Sequence, residues 1–240
     1  MAPLTGISSM ATRGVLAELA HLYAQATRQC VDVVAIGGVD AARRVQEGDA
    51  FDFVVLARDV IDRLASQDRV DRTTITDIVR SDIAVAVTKG APKPDIGSES
   101  ALRDAVLRAA RVGYSSGPSG DYVRELLARW RLADVLASRL VRTAPGVPVG
   151  SLIANGDVEL GFQQLSELMH VPGVDVVGLL PAAIRRTTVF TAAVCEASTQ
   201  PEATRALLAY LASDAADAAK RRHGMDPAAG SDTASVGRGV

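Results

Sequence analysis

Leu4-Thr5-Gly6-Ile7-Ser8-Ser9-Met10-Ala11-Thr12 reads as a short apolar strand that runs straight into a small, hydroxyl-rich junction. A stretch with helical apolar spacing follows it. Similar junctions return at Ile36-Gly37-Gly38-Val39 and at Tyr114-Ser115-Ser116-Gly117-Pro118-Ser119-Gly120. Two more stand at Gly146-Val147-Pro148-Val149 and at Phe162-Gln163-Gln164. Each precedes a predicted helix, so each offers unpaired backbone N–H groups and the positive end of a helix dipole to an anion. Five such junctions in one chain predict one shared anion-binding cleft.

Outward from these junctions, short apolar runs alternate with amphipathic stretches, the pattern of βα units and a mostly parallel sheet. Strands are predicted at 4–8, 31–36, 51–57, 83–88, 111–114, 158–162, 174–179 and 187–195. Helices are predicted at 10–28, 39–47, 58–67, 98–110, 119–130, 132–139, 147–155, 163–169, 201–211 and 214–223. The runs at 31–36 and 51–56 are almost continuously apolar, as strands covered on both faces should be. In the first helix Val15, Leu16, Leu19, Leu22 and Tyr23 keep the 3.6-residue period. The chain should cross between lobes near Ile83 and return near Thr187. The expected architecture is α/β: two lobes, each with a mostly parallel sheet flanked by helices, joined by two crossing strands. Residues 1–82 with 190–227 would form the first lobe, 83–189 the second, and 228–240 a Gly/Ser/Ala-rich disordered tail.

Composition sets bounds. The 240 residues are 48% hydrophobic, enough for two α/β lobes with their own cores. A net charge of -2 and a pI near 5.9 predict no nucleic-acid partner. No run approaches the ~20 apolar residues of a membrane span, so no membrane insertion is expected. The expected partner is a small anionic ligand, a carboxylate or an oxyanion, and oligomeric state is left open. His21, His170 and His223 are scattered, and neither metal-ligand spacings nor nucleotide-binding loops occur, so no metal and no cofactor are expected. Cys30 and Cys195 read as buried, inert thiols. Met1-Ala2-Pro3 leads into the first strand with no charged or apolar leader, which predicts a cytoplasmic protein, or a periplasmic one if a leader was removed.

The order of Ser8-Ser9, Gly37-Gly38, Gly48-x-x-Phe51-Asp52 and Ser115 to Gly120 resembles the type II periplasmic-binding-protein fold. Within it the chain is most similar to the molybdate-binding proteins of ABC transporters, from Leu4 to about Met225. That resemblance implies an oxyanion site at Ser9, Gly38, Ser119, the 146–148 turn including Val147, and Gln164. Molybdate binders of the family carry a hydroxyl residue where Gly38 stands and a tyrosine where Gln164 stands. A tetrahedral dianion would lose two donors here, which implies an altered selectivity. Gly161-Phe162-Gln163-Gln164-Leu165-Ser166-Glu167-Leu168 resembles a subgroup of these sequences related to aconitate isomerase. An amide at 164 suits a carboxylate ligand, since it can donate to carboxylate and accept from hydroxyl.

Each candidate has a plainer reading beside the functional one. Ser8 and Ser9 either cap the first helix or meet the ligand; Gly37 and Gly38 either permit a tight turn or let backbone N–H groups approach an anion. Ser115, Ser116 and Ser119 form either a loop or an anion cradle. Gln163 and Gln164 line the cleft or lie buried with their amides satisfied. Glu167, one turn beyond Gln163, is either a solvated helix residue or a proton-transfer group, and Tyr114 either a core ring or a proton donor. Arg13, Arg58, Arg124, Arg142 and Arg185 are the candidate carboxylate clamps, with Arg13 favoured by its place in the first helical turn. Two functions follow: a proton-transfer isomerase of a small unsaturated di- or tricarboxylate, or a non-catalytic binding protein for an oxyanion or organic acid.

Overall fold

The computed structural model describes residues 2–228. Ten strands and nine α-helices are formed among them. Strands β1 (Leu4–Ser9), β2 (Val31–Ile36) and β3 (Phe53–Ala57) run parallel, and helices α1 (Arg13–Thr27), α2 (Gly38–Gln46) and α3 (Arg58–Ser66) follow them. The chain then enters β4 (Thr76–Thr88), the longest strand. Its first half pairs antiparallel with β9 (Thr187–Val194), which pairs on its other edge with β3. Its second half pairs instead with β7 (Leu160–Gln164) and β8 (Val174–Leu179). β5 (Val112–Tyr114) lies parallel between β7 and β6 (Leu140–Arg142).

The second sheet is covered by α4 (Glu99–Arg108), α5 (Pro118–Arg129), α6 (Val149–Ala154) and α7 (Leu165–Leu168). The chain ends in α8 (Pro201–Ala212), α9 (Asp217–Arg222) and the short β10 (Asp226–Pro227), paired with β4.

Strand alternation decides which core each side chain joins. In β3, Phe53 and Val55 pack with α1 and α8, whereas Val54 and Leu56 pack with α2 and α3. In β4, Ile83, Val85 and Val87 face α4 and α5, and Ala84 and Ala86 face α6 and α7. Small residues on the second face let those two short helices lie close to the sheet. β3 is thus buried on both sides, as its continuous apolar run predicts, whereas β2 is the edge strand and departs from that expectation, with Val34 44% exposed.

Some expected elements differ. The helix predicted at 132–139 is absent: Arg131 takes a left-handed φ of 57° that ends α5, and a 3-10 turn at Ala137–Arg139 leads into β6. Three residues are too few for alternation to show a strand in the sequence. β4 begins at Thr76 rather than 83, because its charged residues Asp77, Arg80 and Asp82 mask the strand pattern. The strand predicted to end at 162 continues through Gln164, so both glutamines belong to β7 rather than to a helix. Cys195 is buried as expected, but Cys30 is exposed just before β2. Beyond Ala228 the expected tail lies outside the described residues.

The parallel strands β1, β2, β3, β5, β6 and β7 release the chain into the turns that line the cleft, and α5 shows how tightly one turn is drawn. A Cβ placed on Gly120 would lie 1.7 Å from the carbonyl oxygen of Ser115. No side chain fits there without moving the first turn of α5 away from β5. Gly120→Ala is therefore expected to cost about 1–3 kcal/mol in chemical denaturation and to weaken ligand binding at the α5 start.

Candidate functional site

Between the two sheets lies a cleft of about 940 Å³. Open α/β sheets bind ligands beyond the carboxyl ends of their strands, and the lining follows that rule. Ser9 comes from the end of β1, Gly37 and Gly38 from the end of β2, and Arg58 from the end of β3. From the second sheet come Ser115, Ser116 and Ser119 after β5, Thr143 and Pro145 to Pro148 after β6, and Gln163, Gln164 and Glu167 at the end of β7. Arg186 to Phe190, entering and beginning β9, close the back.

Hydrogen bonding separates positioning residues from those left open. Ser115 Oγ accepts from the Gly120 N–H at 3.1 Å and lies 2.8 Å from Ser119 Oγ, so it caps the start of α5. Gln163 Oε1 accepts from the Val149 N–H at 2.8 Å while its Nε2 donates to Glu167 Oε1 at 2.7 Å. That amide ties Glu167 to the start of α6. Ser9 makes no side-chain cap to the turn it precedes. Three of the four buried side-chain polar atoms that lack a hydrogen-bond partner among the described residues line this cleft: Ser9 Oγ, Thr143 Oγ1 and Gln164 Oε1. An unpaired buried polar group costs about 1–3 kcal/mol, and these three face one cavity.

Gln164 Nε2 donates to Thr188 Oγ1 at 2.8 Å. A hydroxyl can donate as well as accept, so the Gln164 amide can turn either end to the cleft. Glu167 is half-buried at the cleft wall, and loss of water around its carboxyl raises its pKa to about 7, against the smaller opposing effect of the Gln163 hydrogen bond. Ser166 Oγ donates to the Ala11 carbonyl at 2.9 Å, so α7 is bonded to the turn after β1 across the cleft. A Cβ on Gly37 would lie 3.2 Å from the Gly146 nitrogen and 3.4 Å from Pro145 Cβ. At that point the turns after β2 and β6 touch.

Six expected residues lie outside the lining: Ser8, Arg13, Tyr114, Arg124, Arg142 and Arg185. Ser8 is fully buried, its Oγ donating to the Ser9 carbonyl at 3.3 Å. Tyr114 sits in the core with Val112 and Phe162, and Arg13 is exposed at the start of α1. Val147 does line the cleft and is 42% exposed. Of the arginines, Arg58 is at the cleft but bonded to Asp62 and Asp77, Arg185 pairs with Asp82, and Arg124 pairs with Asp121. Arg142 is outside the lining and donates to the Ser116 carbonyl at 3.4 Å. The expectation missed Thr143, three residues before the Gly146 junction, and Arg186 and Thr188, which stand where β9 begins rather than where a strand ends.

This α/β architecture is the type II periplasmic-binding-protein fold. It is shared with the periplasmic molybdate-binding protein of Azotobacter vinelandii, at 17% identity and a TM-score of 0.78 over 92% of this chain and 98% of that one. The sulfate-binding protein of Mycobacterium tuberculosis matches at 18% identity and a TM-score of 0.76, over 95% of this chain and 88% of that one. Over residues 4–226 the chain matches the bacterial extracellular solute-binding protein family, and it belongs to that family. A curated relative, the aconitate isomerase of a Pseudomonas species, is 37% identical over 229 residues, 93% of this chain and 87% of that protein.

The Glu167 carboxyl predicts a pH signature. Its folded value lies above the 4.5 of an exposed carboxyl. The stability it contributes is therefore complete below about pH 4.5 and is lost as pH rises through about 7. Glu167→Gln removes the titration, so the variant should gain on the wild type by on the order of 2 kcal/mol between about pH 5 and about pH 8. Urea denaturation across that range measures it, and parallel stability curves would show that the carboxyl is not desolvated.

Proposed function

We propose that this protein is a proton-transfer isomerase acting on a small unsaturated di- or tricarboxylate of the aconitate kind. The observation that carries the reading is Glu167: a carboxyl with a pKa near 7, held by Gln163 at 2.7 Å, facing a cleft whose Ser9, Thr143 and Gln164 await polar partners. The aconitate isomerase relative at 37% identity supports the same chemistry. A general base works best when its pKa lies near the operating pH, because it is then ionised often enough to take a proton and basic enough to hold it.

Aconitate is a propene bearing three carboxylates, with a methylene on one side of the double bond. Ionised Glu167 takes a proton from the methylene, and the electron pair moves through the double bond into a carboxylate, giving a dienolate. Protonated Glu167 returns the proton to the former vinyl carbon, and the double bond moves by one carbon. Since the carbon skeleton is symmetric in this sense, the shift interconverts the cis and trans acids with no net gain of atoms. Helix starts at Gly38 and at Pro118, with the open hydroxyls, lower the energy of the developing enolate charge. The two sheets close around the site and exclude water from the carbanion.

The test is incubation of the protein with cis-aconitate in D2O, followed by proton NMR. Expected are appearance of the trans acid, a kcat/KM that rises with pH through about 7, and a kcat lowered about 100- to 10,000-fold in Glu167→Gln. Calorimetric binding of aconitate with no interconversion would replace this reading by that of a binding protein for an organic acid. A second expectation concerns Thr143→Val. Removing an unpartnered buried hydroxyl should leave thermal stability unchanged or raised, while weakening aconitate binding by about tenfold or more.

A further inference from the structure

Among the described residues four arginines line the cleft: Arg43, Arg58, Arg63 and Arg186. Two are already neutralised. Arg43 pairs with Asp40 at 3.4 Å and Glu47 at 3.2 Å, and Arg58 pairs with Asp62 and Asp77, each at 3.0 Å. Arg63 has no carboxylate partner among the described residues, but it stands five residues beyond Arg58, more than one turn further along α3 and away from the β3 end. Arg186 has no carboxylate partner among the described residues, because its neighbour Arg185 takes Asp82.

What Arg186 does have is a platform. Its guanidinium carbon lies 5.5 Å from the centre of the Tyr122 ring. That ring is fixed, since the Tyr122 hydroxyl donates to the Ile184 carbonyl at 3.0 Å. A guanidinium over an aromatic face keeps its N–H donors free, which is the arrangement needed for two-pronged recognition of a carboxylate. Tyr122 lies one turn beyond Ser119 on α5, and Thr188, two residues past Arg186, holds Gln164. Arg186 is therefore tied by contact to α5, through Tyr122, and by sequence to Thr188, which holds the Gln164 amide.

Charge makes this placement consequential. Near the strand ends the other groups that can meet an anion, Ser9, Gly38, Ser119 and Thr143, supply hydroxyls and backbone dipoles but no full charge, and Arg63 lies further along α3. Asp59 and Glu125 add negative charge to the same lining. Two carboxylates can be shared between the helix starts of the two sheets. A third needs a cation.

We propose that Arg186 binds the third carboxylate of a tricarboxylate ligand and so selects tricarboxylates over dicarboxylates. This inference rests on the carboxylate reading of the cleft given above. It requires only binding, so it is separable from catalysis.

The experiment is isothermal titration calorimetry of the wild type, Arg186→Gln and Arg186→Lys with trans-aconitate and with the dicarboxylates mesaconate and glutaconate. The wild type should prefer trans-aconitate. Arg186→Gln should weaken trans-aconitate binding by about 10- to 100-fold while changing each dicarboxylate by less than about twofold, and Arg186→Lys should recover part of the loss. Melting temperatures of all three proteins should agree, since Arg186 is exposed. Equal losses for all three ligands, an unchanged trans-aconitate affinity, or a wild type that binds none of them would overturn the assignment. Selective loss of trans-aconitate binding in a protein that does not isomerise it would uphold Arg186 and remove the isomerase reading alone.

Discussion

β4 belongs to both sheets, and the geometry of the cleft depends on that shared ladder. From Thr76 to Asp82 its hydrogen bonds go to β9, and from Ile83 onward they go to β7 and β8, with no break in the strand between them. At the crossing Ser81 and Asp82 pair with β9 alone, since Arg80 is the last residue paired to β10 and Ile83 the first paired to β7, so the two sheets are joined there through one paired edge of their common member. The parallel strands of each sheet then end facing the other, and the loops they release meet. Two side-chain bonds tighten the joint: Ser166 to the Ala11 carbonyl, and Thr187 to Asp82 at the crossing itself. Glu167, next to Ser166, is therefore placed relative to the first sheet as well as its own.

Within the cleft, the division of labour is set by which polar atoms are already spoken for. Ser115 and Gln163 spend their hydrogen bonds on helix starts and on Glu167. Ser9, Thr143 and Gln164 keep an open valence. Their concentration in one cavity is the feature on which the proposed recognition of a polar ligand rests. The desolvation that raises the Glu167 carboxyl falls on the wall of the same cavity.

Much of this was legible in the sequence because the signal lies at strand ends. Gly37-Gly38, Ser115 to Gly120 and Gln163-Gln164 each combine a small or amide residue with a neighbouring apolar run, and each reached the cleft lining. Thr143 was hidden because β6 has only three residues, and a single threonine after them announces nothing. Arg186 was hidden for a different reason. Which of two adjacent arginines is neutralised depends on Asp82, more than a hundred positions earlier in the chain, and on a tyrosine brought alongside by α5. Ser8, Arg13 and Tyr114 illustrate the converse, since a residue beside a junction can point away from it: strand alternation turns Ser8 from the cleft and Tyr114 into the core.

The contact between Gly37 and the Pro145-Gly146 turn joins the two sides of the mouth with backbone and one proline ring. Such a contact removes little apolar surface from water, so it adds little free energy of its own to the shut arrangement. The lifetime of the enclosed complex is then governed by what occupies the cavity rather than by a latch. A ligand that fits the cavity less well is confined for a shorter time.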